Sequence, residues 1–161
     1  MKMPFENVVA VHSVTVFRVC RAVVGPADAD DAWSETFLSA LRTYPELPDN
    51  ANVEAWLVTI AHRKAIDIVR HYKRIDSSSD VAVEASANVS MSDSTKRELW
   101  DSIRSLPDRQ RHAVAYHYLG GLPYVEVAKI IGGTTDAARR AAADGIQNLR
   151  KTFIPVESKG A

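Results

Sequence analysis

Apolar residues recur every three to four positions along most of this chain, a spacing that predicts helices separated by short turns. In the first half, helices are predicted from near the N-terminus to Gly25, over 28–44 and over 53–74. The predicted buried faces are Phe5, Val9, Val16, Phe17 and Cys20 on the first helix, Trp33, Phe37, Leu38 and Leu41 on the second, and Trp56, Leu57, Ile60, Ala61, Ile66 and Val69 on the third.

The second half begins with a predicted helix over 96–105, and Pro107 is placed as the first residue of the next, which ends at Gly120. A short apolar segment after Pro123 then stops at the sequence Gly132-Gly133-Thr134-Thr135. Glycine provides the positive φ that ends a helix, and threonine provides an oxygen that caps the next one. Two helices joined by so tight a turn are typical of a helix-turn-helix, whose second helix enters the DNA major groove.

Between the two halves, residues 76–93 are rich in serine, alanine and acidic residues and show no sustained periodicity. Such a composition favours a flexible linker. We therefore predict an all-α protein with an N-terminal domain of three to four helices over 1–75, a linker over 76–93, and a C-terminal helix-turn-helix domain over 94–155.

The chain has 161 residues and no net charge, but its charge is unevenly distributed. The linker holds four acidic residues and no basic one, whereas the remainder after Asp93 holds eleven basic and seven acidic residues. Because phosphate neutralisation supplies most non-specific DNA affinity, we expect the free chain to bind DNA weakly.

Several classes of protein are disfavoured by what the sequence contains. Without a run of about 18 apolar residues or a signal-peptide core, we expect a cytoplasmic protein without membrane insertion. The single cysteine, Cys20, lies in an apolar run and is expected to be a buried structural thiol. His112 and His117 are five residues apart and do not share a helix face. We predict no catalytic residues, no metal and no cofactor.

Four motifs in register resemble the extracytoplasmic-function (group IV) sigma factors of bacterial RNA polymerase, and the resemblance spans nearly the whole chain. In the first half they are the acidic helix ending in Glu35-Thr36-Phe37 and the stretch from Ala55 through Ala61 with its basic tail to Arg74. In the second half they are Leu106-Pro107 and the segment from Gly121 through Ala128.

The resemblance implies a role for each half of the chain. Core polymerase would be bound through the clamp of its largest subunit, with promoter DNA as the second partner. The implied polymerase-binding residues are Asp30, Asp31, Glu35 and Phe37. The implied −10 residues are Asn50, Asn52, Trp56, Arg63, Lys64, Arg70 and Lys73, and for Trp56 a core position is the favoured interpretation. The implied −35 residues are Thr134, Thr135, Arg139 and Arg140.

The resemblance also implies contact with the flap of the second-largest polymerase subunit, and it motivates the hypothesis of an anti-sigma factor. This chain departs from the family pattern at Arg63, where asparagine is usual, and at Ala141 and Asp144, where basic residues are usual. Gly145 is expected to weaken its helix by about 1 kcal/mol relative to alanine. The alternative function is a free-standing helix-turn-helix regulator, although such proteins normally dimerise and no dimer segment is evident.

Overall fold

The computed structural model describes residues 2–76 and 94–153. The chain divides into two compact units, Met1–Ala85 and Ser86–Ala161, and each is described by itself. The predicted linker lies outside the described residues except for Asp76, which is the last residue of a helix. Every regular element in the described parts is helical, as the all-α prediction requires.

The N-terminal unit consists of three helices that each pack against the other two: α1 (Phe5–Val24), α2 (Ala29–Thr43) and α3 (Val53–Asp76). Gly25 ends α1 with a φ of 88°, a value that favours glycine because it has no Cβ. A 3₁₀ turn (Tyr44–Glu46) follows α2 and leads into the loop before α3. These bounds agree closely with the predicted ones.

The face that α2 buries differs from the predicted face. Leu38 and Leu41 are exposed, at 48% and 53%, so their prediction as core residues is wrong. Alanines and Thr36 occupy the contact instead, and Thr36 donates its hydroxyl to the Ala32 carbonyl at 2.6 Å. Small residues let neighbouring helices approach closely, which periodicity alone does not reveal. The remaining predicted core residues are mostly buried or half-buried, including Cys20 at 1% exposure.

Helix α1 is long and apolar enough to cross a membrane by length and composition alone, a test that core helices of globular proteins also pass. It is nevertheless packed against both α2 and α3, and it buries seven residues there, from Val8 to Val24. Such burial requires an apolar composition in the core helix of a globular unit, and a membrane-spanning helix requires a similar composition.

The C-terminal unit consists of α4 (Ser94–Arg104), α5 (Asp108–Val114), α6 (Tyr124–Ile131) and α7 (Thr135–Phe153). Pro107 precedes α5 as its N-cap and is not its first helical residue, a one-residue correction. From Ala115 to Leu119, α5 widens into a π-helical turn, in which Gly120 N–H donates to the Ala115 carbonyl at 2.9 Å.

The longest helix of the C-terminal unit, α7, forms its centre, because α4, α5 and α6 all pack against it. Its buried face contains Ala138, Ala141, Ala142 and Leu149. Gly145 lies on the same face, where a Cβ would come within 2.6 Å of Val114 Cγ2. The prediction that Gly145 merely weakens the helix is therefore incomplete, since this glycine permits close contact between α5 and α7.

Candidate nucleic-acid interface

The turn between α6 and α7 is built by the residues that the sequence singles out. Gly132 and Gly133 have φ values of 87° and 88°, which ends α6 and redirects the chain. Thr134 then caps α7, because its Oγ1 accepts a hydrogen bond from Ala137 N–H at 3.0 Å. The predicted helix-turn-helix is thus present, with α7 as its second helix.

Arg109 holds this turn from α5. Its Nη2 donates to the Gly132 carbonyl at 2.7 Å, and its Nη1 donates to the Ile131 carbonyl at 3.4 Å. These carbonyls belong to the end of a helix, where no intrahelical donor remains. Gly133 is required by its positive φ, and a Cβ there would also meet Arg109 Nη2 at 2.6 Å and displace the end of that side chain.

The predicted −35 residues lie near the start of α7. Arg139 and Arg140 are exposed, and Thr135, one turn before Arg139, is half-exposed. Arg139 Nη1 is paired with Asp136 Oδ1 at 2.7 Å, and its guanidinium lies 5.3 Å from the centroid of the Tyr124 ring. This first part of α7 therefore presents cationic groups to solvent.

An aromatic cluster supports that end of the unit. The His117 ring stacks on Tyr124 with centroids 3.8 Å apart and planes at 14°, while Tyr118 meets His117 edge-on at 4.7 Å. His117 Nδ1 lies 2.8 Å from the Leu122 carbonyl. Burial raises the pKa of Tyr124, as do a hydrogen bond with Tyr118 and the charge of that neighbour, while Arg139 acts in the opposite direction.

In the N-terminal unit, α3 carries most of the predicted −10 residues. Trp56, Arg63 and Arg70 are separated by seven residues, nearly two helical turns, and therefore share one face. Lys64 and Lys73 flank that face on either side. Trp56 is half-buried and lies 6.0 Å from the Tyr44 ring, so the favoured core position holds for part of its surface only.

Both asparagines of the −10 prediction belong to the loop before α3. Asn52 Oδ1 caps the helix by accepting from Ala55 N–H at 3.0 Å, and Asn50 is exposed. Tyr44 anchors this loop, since Lys2 Nζ donates to the Tyr44 carbonyl at 2.7 Å and the Tyr44 hydroxyl donates to the Met3 carbonyl. A cavity of about 150 Å³ lies between the loop and the N-terminal segment.

The predicted polymerase-binding acids form an exposed group on α2. Asp30, Asp31 and Glu35 all point to solvent, whereas Phe37 is 7% exposed and packs on Trp33 with centroids 5.1 Å apart. Phe37 therefore supports the helix from the core side, and its docking role stays a prediction.

A hydrogen bond of 3.0 Å from the Tyr72 hydroxyl to Asp28 Oδ1 joins the end of α3 to the start of α2. The pKa of Tyr72 is raised by that hydrogen bond first, and then by the negative charge of the Asp28 carboxylate.

Two buried or half-buried groups have altered acidity without forming a reactive site. Burial raises the pKa of the Cys20 thiol to about 12, against a smaller opposing effect of the hydrogen bond with Thr36. The pKa of His62 is lowered, first by burial and then by the adjacent positive charge of Arg63. Within residues 2–76 and 94–153, no group of three or more His, Cys, Asp or Glu side chains could hold a metal ion.

Sequence analysis missed Lys2, Tyr44, Arg109 and His117, the residues that hold the loop and the turn. Each acts across a distance in sequence, such as the 42 residues between Lys2 and Tyr44. No local sequence pattern predicts these contacts. An aromatic or basic residue beside a predicted turn is nevertheless a signal that could prompt a search for a residue that holds the turn.

A helix-turn-helix in one unit and a cationic helix face in the other indicate a protein that binds nucleic acid. Comparisons with known proteins specify the class. The profile of sigma-70 region 2 matches residues 8–75, and that of sigma-70 region 4 matches residues 96–149. The chain belongs to the RNA polymerase sigma factors, within the extracytoplasmic-function (ECF) group.

Two relatives illustrate the similarity in sequence. RNA polymerase sigma factor CarQ of Myxococcus xanthus is 34% identical over 158 residues, covering 95% of this chain and 91% of CarQ. ECF RNA polymerase sigma factor SigK of Mycobacterium tuberculosis is 26% identical over 145 residues, covering 82% of this chain and 75% of SigK. These relatives favour the sigma-factor interpretation over a free-standing regulator.

Solved structures show the same fold. One is the sigma factor RpoE in complex with the anti-sigma factor NepR from Bartonella quintana, with a TM-score of 0.77 and 17% identity over 95% of this chain and 98% of that chain. Another is CnrH in complex with the cytosolic domain of CnrY, with a TM-score of 0.70 and 18% identity over 95% of this chain and 89% of that chain.

Proposed function

We propose that this chain binds core RNA polymerase through α2, captures the −10 element of a promoter on α3, and reads the −35 element with α7. The observation that carries the proposal is the pairing of surfaces within each unit. An acidic helix lies beside a cationic one in the first unit, and a helix-turn-helix presents exposed arginines in the second. Polymerase supplies the chemistry, and the chain itself is not an enzyme.

The central experiment separates the sigma-factor function from that of a free-standing regulator. Purified chain is added to bacterial core polymerase, and transcription start sites are mapped on genomic DNA from the host. Initiation at a defined set of promoters, dependent on the chain, supports the proposal. Binding to duplex DNA without any polymerase-dependent start would instead identify an operator-binding protein.

The docking surface on α2 is tested by charge reversal. Asp31→Arg combined with Glu35→Arg places positive charge on exposed positions, so folding is retained while complementarity to a basic partner is lost. Core binding should fall by about ten-fold or more, which corresponds to ~1.4 kcal/mol. Glu6→Arg with Glu46→Arg reverses two exposed acids outside α2 and is the matched control. Equal binding by both variants would remove α2 as the docking surface.

For the −10 element, the face of α3 that carries Trp56, Arg63 and Arg70 supports capture of a separated strand. Arg63 and Arg70 supply positive charge for the backbone, and the accessible part of Trp56 offers an aromatic surface for base stacking, which contributes about 1–3 kcal/mol per base. Arg63→Ala with Arg70→Ala should lower open-complex formation, as monitored by permanganate reactivity of unpaired thymines. Arg18→Ala, an exposed arginine on α1, is the control.

For the −35 element, Arg139 and Arg140 are suited to bidentate contact with guanine or to phosphate contact, a bidentate guanine pair being worth about 1–3 kcal/mol. Thr134 can still donate its hydroxyl hydrogen while its oxygen accepts the cap. Substituting either arginine by alanine should weaken promoter-specific initiation and leave core binding intact. Arg150→Ala, an exposed arginine near the end of the same helix, should change neither. Equal loss of core binding and initiation would mean that α7 is structural.

We further propose that an anti-sigma factor holds the chain inactive in the cytoplasm until a signal releases it. Support comes from the ECF membership and from the two solved folds, each of which belongs to a complex. The test is affinity purification of the chain from its host during unstressed growth. Recovery without any stoichiometric partner would count against an inhibitor.

A further inference from the structure

The aromatic cluster beside the helix-turn-helix has no role in the function described so far. His117 lies on the π-helical turn of Ala115–Leu119, a kind of turn that is rare and frequently found at functional sites. Gly120 makes this turn feasible, because a Cβ there would lie 2.7 Å from the Tyr116 carbonyl oxygen. The extra residue in the turn alters the direction in which the following side chains leave the helix.

Two contacts then fix the His117 ring. Its Nδ1 lies 2.8 Å from the Leu122 carbonyl, and since a carbonyl can only accept, Nδ1 carries the hydrogen. Its face lies nearly parallel to Tyr124, 3.8 Å away. Tyr124 is the first residue of α6, so the ring joins the end of the π turn to the start of the helix-turn-helix.

The same Tyr124 ring carries the Arg139 guanidinium of α7 at 5.3 Å. Asp136 Oδ1 also accepts from Arg139 Nη1 at 2.7 Å, but both side chains of this pair are exposed and a DNA contact would replace it, so the tyrosine ring is the support that remains. A flexible arginine loses conformational entropy when it binds, and prior restraint reduces that loss. A fixed tyrosine surface is therefore useful to a side chain that has to contact DNA.

We propose that His117 is a positioning residue for promoter recognition, holding Tyr124 as the platform on which Arg139 is oriented toward the −35 element. The inference rests on the proposed function of Arg139 and deepens it. His117 itself need not touch DNA, since its contribution passes through Tyr124.

The test is a double-mutant cycle in the full chain bound to core polymerase, on one mapped promoter with its −35 element intact or scrambled. His117→Ala should lower the preference for the intact element by roughly three-fold, the scale of a cation–π contact. Arg139→Ala should lower it at least as much. In the Arg139→Ala background, His117→Ala should cost nothing further. His117→Phe keeps a flat ring. In the chain that retains Arg139, this variant should keep most of the preference that His117→Ala loses.

Failures of the inference and of the proposed function are distinguishable. If Arg139→Ala is costly but His117→Ala is neutral or additive with it, the positioning role is wrong and the −35 assignment stands. If Arg139→Ala leaves the preference unchanged, the −35 assignment of Arg139 and the role of His117 are both wrong.

Core binding and circular dichroism are measured for every variant. If His117→Ala unfolds the unit, the comparison of His117→Phe with the natural chain decides, and a three-fold loss of preference in that folded variant would overturn platform stacking.

Discussion

Replacing Gly145 by alanine separates helix propensity from packing in the C-terminal unit. In an exposed helix position, glycine to alanine stabilises by about 1 kcal/mol. At Gly145 the new Cβ would lie 2.6 Å from Val114 Cγ2 and 3.4 Å from both Gln110 Cβ and the Gln110 carbonyl oxygen. Real Cβ atoms essentially never approach a heavy atom as closely as 2.6 Å, so α5 and α7 have to move apart.

Valine has little freedom to yield, because it is branched at Cβ and stiff in χ1. Overpacking a core by one methyl group costs typically about 1–3 kcal/mol. Subtracting the propensity gain of about 1 kcal/mol leaves a net destabilisation of about 1 kcal/mol. For a unit of this size that corresponds to a fall in Tm of about 4–8 °C.

Amide hydrogen exchange of α5 and α7 measures the effect for this unit alone, and thermal unfolding by circular dichroism gives the Tm. Ala143→Gly is the matched control, because Ala143 is exposed on the same helix and reports propensity without the contact. Val114→Ala removes the opposing methyl groups and should make Gly145→Ala less costly, with a coupling energy of about 0.5–3 kcal/mol. Stabilisation by Gly145→Ala equal to the loss in Ala143→Gly would refute the packing argument.

Three further predictions concern single groups. Because burial raises the Cys20 pKa to about 12, iodoacetamide should modify the native thiol far more slowly at pH 8 than the urea-unfolded thiol, and equal rates would contradict its burial. The folded-state pKa of His62 is below its ordinary 6.5, so its contribution to stability is present above pH 6.5 and is lost as pH falls through the folded value. His62→Gln should therefore reduce the pH dependence of the urea midpoint of the N-terminal unit in that window. An unchanged pH dependence would count against this reasoning. Arg109→Ala removes two hydrogen bonds to the turn carbonyls and should lower the stability of the helix-turn-helix by about 1 kcal/mol, seen as faster hydrogen exchange around Gly132, whereas unchanged exchange would mean that the turn is held by glycine geometry alone.

The sequence alone was sufficient for the helix-turn-helix because its signals are local. A positive φ at Gly132 and Gly133 and a hydroxyl cap at Thr134 depend on a few neighbouring residues, and all three are observed. Helix bounds in the N-terminal unit follow for the same reason. Periodicity identifies which residues share a helix face, and this is why Leu57 and Ile60 were correctly placed in the core.

The features that the sequence does not reveal depend on which neighbouring helix each helix face packs against. Leu38 and Leu41 share a stripe with apolar neighbours, yet α2 turns its alanines inward, because small side chains allow the closest approach of helices. Helix propensity alone describes Gly145 incompletely, since its neighbour Val114 is distant in sequence. The same limit applies to His117, whose contact with Tyr124 depends on a π turn that apolar spacing does not distinguish from ordinary helix.

Under the proposed function, the state of Arg139 in the free chain explains why the two units would have to act together. Arg139 is already paired with Asp136, but both partners are exposed, at 56% and 84%, and such a surface pair contributes only about 0–1 kcal/mol. Exchanging it for a guanine or phosphate contact therefore costs little, yet a single contact in a chain without net charge also gains little. Useful affinity then requires a second site held on the same polymerase, where the effective concentration of the −35 element replaces its concentration in solution. Under the proposed function, weak recognition by α7 would thus be compatible with strict promoter choice, because it would count only after α2 had bound polymerase.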